Sequence, residues 1–155
     1  MEEQKLRDKR ILAKLNLNKL PFELKDNTFK SFGAEISNFI HRIYEVRKNS
    51  VSLNWCFANI KRVKIFFEIF HANESGVEIY KEEIAKNIPE YSYKTIAKII
   101  DDGIAQGYYV LLAPDGEIGN DGKVKNIRPS EELATDFLNL CIEIVSYKDT
   151  KLPRL

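Results

Sequence analysis

The sequence predicts a mainly α-helical chain that carries one small antiparallel β hairpin, an α+β architecture. Three observations lead there. Apolar residues recur at three- and four-residue spacing through most of 28–147. One stretch, 108–128, changes to aromatic and β-branched residues around the turn signals Asp115-Gly116 and Asp121-Gly122. Residues that stop or start helices fall between the periodic segments, at Pro21, Asn49-Ser50, Pro89, Ser92, Gly107 and Pro129-Ser130.

Taken in order, residues 1–27 read as a polar N-terminal arm. Leu6, Ile11, Leu12, Leu15 and Leu17 give it a weakly amphipathic start, which Pro21 ends. A single domain is expected over 28–155: an N-terminal helix at 28–50, a core at 52–128 and a C-terminal helix at 129–147. Phe32, Ile36, Phe39, Ile40, Ile43 and Tyr44 form the apolar stripe of the first helix. The segment 52–72 is apolar around more than half its circumference, with Trp55, Phe57, Ile60, Val63, Ile65, Phe66, Phe67, Ile69 and Phe70. It reads as one central helix, buried on several sides. Near the C-terminus, Pro129-Ser130-Glu131-Glu132 is a helix start with an acidic first turn, and Leu133, Phe137, Leu140, Cys141 and Ile144 follow on one face.

The stretch 79–128 is the most specific. A short helix at 79–88 would bury Ile79, Ile84, Ala85 and Ile88, and Pro89 stops it. Ser92 is placed to cap a second helix, within which Ile96, Ile99, Ile100 and Ile104 point inward. Ser92, Tyr93, Lys94, Ala97, Lys98 and Asp101 stay outward, and Gly107 supplies a left-handed stop. A strand at 108–113 and its return at 124–128 close the unit. Two helices joined by a tight turn and followed by a hairpin form a winged helix-turn-helix, which presents its second helix to the DNA major groove.

The pattern E-I-A-x-x-I at 83–88, S-x-x-T-I-x-x-x-I-x-x-G-I-x-x-G-Y at 92–108 and D-G-K at 121–123 resembles the winged-helix core of bacterial transcription regulators. The layout is most similar to the MarR type, the multiple-antibiotic-resistance regulators. About a third of the chain carries the resemblance closely. It implies a homodimer whose N- and C-terminal helices intertwine as a dimerisation layer, and room for a small aromatic effector. Two departures stand out. Pro89-Glu90-Tyr91 replaces the usual glycine turn, and the wing holds Asp115, Glu117 and Asp121 against Lys123 and Lys125.

Composition limits the alternatives. The 155 residues are 44% hydrophobic and 30% charged, ordinary for a globular domain. No apolar run approaches the ~20 residues that span a bilayer, so no membrane partner is expected. The charged N-terminus lacks a signal-peptide core, which makes the cytoplasm the expected location. Cys56 and Cys141, each among apolar residues, read as reduced buried thiols. Net charge is +1, and its distribution is uneven: +4 over 1–60, −1 over 61–128 and −2 over 129–155. The winged core is therefore near neutral, and DNA binding must rest on local placement of its cations.

The residues expected at DNA are Ser92, Tyr93, Lys94 and Thr95 at the groove-facing start of the second helix, with Lys98 one turn on. Lys81, Lys123 and Lys125 are expected at phosphates. The glycine-rich run 115–122 lacks the spacing of a cation loop and joins strands, so it reads as a hairpin tip. His41 and His71 have no Cys or carboxylate at ligand spacing, and no metal or cofactor is expected. No nucleophile elbow, catalytic carboxylate pair or dinucleotide fingerprint is present, so an enzyme is not expected. The expectation is a sequence-specific double-stranded DNA-binding protein, a transcriptional regulator. Its rival is a winged-helix protein–protein module in a replication or phage-related assembly, without direct DNA contact.

Overall fold

The computed structural model describes residues 1–20, 29–112 and 126–151. It is mainly helical with one two-stranded antiparallel sheet. The chain divides into two compact units, 1–45 with 142–155, and 46–141.

In the first unit, helix α1 (Glu2–Ala13) opens with Glu2 and Glu3 and closes with Arg10, charges that complement the helix dipole. It starts on the charged stretch and ends well before Pro21, and none of its residues is buried. A single 3-10 turn follows at Leu17–Lys19. Most of helix α2 (Phe29–Lys48) lies in this unit, as does the end of helix α7 (Glu131–Lys151). Here Arg42 Nη2 donates to Glu143 Oε2 at 2.9 Å.

The second unit holds helices α3 (Val51–Cys56), α4 (Ile60–Ser75), α5 (Lys81–Asn87) and α6 (Tyr93–Ala105), strands β1 (Tyr109–Leu112) and β2 (Asn126–Pro129), and the first half of α7. Every buried residue among those described lies in it. Its core joins Leu53 and Cys56 of α3, Ile65, Phe66, Ile69 and Phe70 of α4, and Ile84, Ile96 and Ile100 of α5 and α6. Tyr109, Ile127, Leu133 and Leu140 complete it. Phe137 of α7 packs on Phe66 and Phe70 with ring centroids 5.0 and 4.4 Å apart. Offset and edge-to-face packing of this kind adds to the burial itself.

The expected continuous helix over 52–72 is two helices. α3 ends at Cys56 and α4 begins at Ile60, because Asn59 turns extended (φ −152°, ψ 167°) and its side-chain oxygen accepts from Arg62 N at 3.0 Å. Apolar periodicity that continues past Asn59 hid this cap, which satisfies an orphan N–H of the new helix. Ser50 caps α3 in the same way, accepting from Leu53 N. Its hydroxyl also donates to Asp136 Oδ2 at 2.9 Å, and the buried Ser52 hydroxyl donates to the same oxygen at 2.6 Å. These bonds fasten α7 to α3.

A second difference concerns Ile79. It is buried as expected but precedes α5, outside any helix. Its carbonyl accepts from Ile127 N at 2.9 Å, and its N–H donates to Asn126 Oδ1 at 2.8 Å. The segment thereby covers the edge of β2 that β1 leaves free. Strand edges left bare recruit other chains, and a short docked segment prevents that.

Candidate nucleic-acid interface

Helices α5 and α6 pack together through Ile84 and Ile88 on one side and Ile96 and Ile100 on the other, all buried. Between them Tyr91 N donates to Ile88 O, closing the turn that Pro89 begins. Ser92 takes extended geometry, and its Oγ accepts from Thr95 N at 3.2 Å, the cap expected from sequence. The Ser92 hydroxyl also donates to Thr95 Oγ1 at 3.0 Å.

The C-terminal end of α6 is equally determined. Gly107 has φ +83°, with its N–H on Ile104 O and the Tyr108 N–H on Gly103 O. This pair of bonds is a Schellman stop, which needs the left-handed residue. Gly103 answers a different need. A Cβ there would lie 2.4 Å from Tyr109 Cδ2 and 3.2 Å from a Trp55 ring carbon, so α6 approaches β1 as closely as it does only through a glycine. β1 pairs antiparallel with β2, Tyr109 opposite Pro129 and Leu112 opposite Asn126.

These constraints fix which side chains α6 offers outward. Tyr93 is 48% exposed at its first position, and its hydroxyl lies 3.5 Å from Glu82 Oε1. Lys94 is exposed and has no ion-pair partner among the described residues. Lys98 is exposed and pairs with Asp102 at 3.2 Å, and Lys81 pairs with Asp101 at 2.5 Å. Of the expected residues, Ser92, Tyr93, Lys94, Thr95 and Lys98 therefore share the start and outward face of one helix. Lys81 joins them through Asp101. Lys123 and Lys125, with the whole run 113–125, lie outside the described residues.

The sequence reading missed a second group beside the turn. Lys64 of α4 forms an ion pair with Glu90, which raises the Lys64 pKa and lowers that of Glu90. Lys61 Nζ stands 5.3 Å from the centroid of the Tyr91 ring, and Lys64 Nζ 5.9 Å. The signal was the run Lys61-Arg62-x-Lys64 directly after the unnoticed Asn59 cap. Arg62 turns away from this group and stacks 4.2 Å over the Trp55 ring.

Elsewhere the site chemistry is sparse. Cys56 and Cys141 are free thiols. Burial pushes Cys56 up to about 12, only partly offset by its contact with the Tyr109 hydroxyl. Among the described residues no three His, Cys, Asp or Glu side chains gather as a metal site, and no helix is long and apolar enough to cross a membrane. An apolar groove of about 320 Å³ lies in the first unit, lined by Ile11, Leu15, Leu17, Leu20 and Phe32. Comparison with protein-family models, curated proteins and solved structures returns no significant match.

Proposed function

We propose that the chain is a sequence-specific double-stranded DNA-binding protein of winged-helix type, a MarR-like transcriptional regulator acting as a homodimer. The observation that carries this reading is the exposed first turn of α6, where Tyr93 and Lys94, which has no ion-pair partner among the described residues, stand on a helix capped by Ser92 and braced by α5. Lys94 supplies a charged donor for a guanine edge or a phosphate, and Tyr93 a hydroxyl and an apolar ring. The Ile79 segment docked on β2 precedes α5, and the antiparallel pair β1–β2 follows α6, an order compatible with a winged helix. Two such helices related by a dimer axis would enter successive major grooves about one DNA turn apart. In the first unit, exposed Ile40 and Tyr44 on α2, and Ile142 and Val145 on α7, supply apolar surface for the dimer.

A second reading, a winged-helix module that docks on protein, draws on one specific observation. Lys81 and Lys98 are each paired with an aspartate, which leaves the outward face of α6 nearly neutral. Fluorescence anisotropy with a labelled duplex, titrated over salt, decides between the two. The DNA reading expects retention at ~50 mM salt and a shallower salt slope for Lys94→Ala, by roughly one unit for the lost phosphate contact. Absence of duplex binding at that salt favours the protein module. A monomeric mass in solution contradicts the paired half-site geometry.

A further inference from the structure

Resting on the duplex-binding reading above, we infer that Lys61 and Tyr91 form a second phosphate-binding station, at the rim of the groove that α6 enters. Glu90 holds this station partly closed by occupying Lys64. Three observations place it. The Lys61 ammonium lies 5.3 Å from the Tyr91 ring centroid, which fixes an otherwise floppy side chain beside the turn. Lys61 is exposed and has no carboxylate partner among the described residues, in contrast to Lys81 and Lys98. Tyr91 precedes the Ser92 cap directly, so the station is joined to the first turn of α6 by a single residue.

The geometry suits one occupant. Tyr91 and Lys94 are three residues apart, which keeps their Cα atoms within about 11 Å. The major groove is about 12 Å wide, with a phosphate strand along each edge. With Lys94 inside the groove, Lys61 beside Tyr91 is therefore within reach of the edge, where the sugar–phosphate strand runs. The Tyr91 hydroxyl offers a second, uncharged donor to that strand. Phosphate contacts of this kind set register and orientation and carry no base preference. The station thus supplies the electrostatic anchoring that the neutral face of α6 lacks.

Glu90 gives the station a signature that a purely structural role would not produce. Its carboxylate cancels the charge of Lys64 at an exposed site. Removing that carboxylate releases Lys64 to the same strand, so binding should strengthen.

The test is duplex affinity of the full chain against salt concentration for Lys61→Ala, Tyr91→Ala, Tyr91→Phe and Glu90→Gln. Thermal melting of each variant serves as a check on folding. Lys61→Ala is expected to lose roughly five- to tenfold in affinity near 0.1 M salt, equally on specific and random duplexes, with a slope shallower by about one. Tyr91→Ala should lose less, and Tyr91→Phe should retain most binding because the ring that holds Lys61 remains. Glu90→Gln should bind more tightly, with a steeper slope. If the parent chain binds duplex while Lys61→Ala and Glu90→Gln keep its slope, the station is wrong and the DNA reading stands. If the parent chain does not bind duplex at ~50 mM salt, both fall.

Discussion

The two units of this molecule are built on opposite terms. Residues 46–141 contain every buried side chain among those described, whereas 1–45 and the end of α7 contain none. Both are helical, so helix content does not separate them. α1 carries Leu6, Ile11 and Leu12 among eight charged or polar residues, and no stripe wide enough to bury forms. α6 places Ile96, Ile99, Ile100 and Ile104 on one side and seals both ends with its own residues. The contrast teaches that tertiary packing makes a surface definite enough to recognise a partner, because it decides which residues cannot turn outward. That is why the candidate interface lies on the packed unit.

Substitutions should respect this division. The largest effect is expected at Gly103, where alanine would drive a Cβ into the Tyr109 ring. Gly103→Ala should lower unfolding stability by about 3 kcal/mol in chemical denaturation, at the upper end for overpacking. A cost below about 1 kcal/mol would mean that α6 and β1 pack more loosely than described.

Next comes Cys56. Folding raises its pKa from 9.0 to about 12, so the thiol stays neutral in the native state where the unfolded chain would ionise. The resulting stability is fully present below pH 9 and is lost as pH rises from 9 toward 12. The alkaline fall in stability should be shallower in Cys56→Ala than in the parent chain. At pH 8 Cys56 should also react with iodoacetamide roughly a hundredfold more slowly than the half-buried Cys141. Equal rates would show that the packed unit opens readily.

Ser52→Ala removes one of two hydroxyls bonded to Asp136 within the buried contact of α3 and α7, and should cost about 1–2 kcal/mol. Ser92→Ala, which removes the cap of α6, should cost about 1 kcal/mol and fray the turn that carries Tyr93 and Lys94. The smallest effect is expected in the other unit. Leu6→Ser, on an exposed face of α1, should change stability by less than about 0.5 kcal/mol. A larger loss there would break the comparison and would show that α1 has a covered face in solution.

Much of the packed unit could be read directly. The Ser92 cap, the Gly107 stop, the hairpin strands and the Ser130 cap of α7, which accepts from Leu133 N, all follow from residue types whose backbone roles are local. What escaped was a local cap masked by continuing apolar periodicity and a set of contacts distant in sequence. Asn59 sits in an apolar run whose periodicity continues through the break, so only the geometry of its side chain shows that one helix is two. Ile79 adjoins the apolar positions of the short helix, yet its backbone bonds to β2, through Asn126 forty-seven residues on and through Ile127. The site was legible as far as α6 extends. Its aspartate pairings, and Lys61 beside Tyr91, were not, because α4 and the turn meet only through the fold.

The central claim is that the helix beginning at Tyr93 reads duplex DNA. Selection of bound sequences from a random duplex pool tests it most directly. The account predicts an enriched pair of half-sites with centres about 10–10.5 base pairs apart, which disappears for Lys94→Ala. Recovery of a pool no different from the input would contradict it.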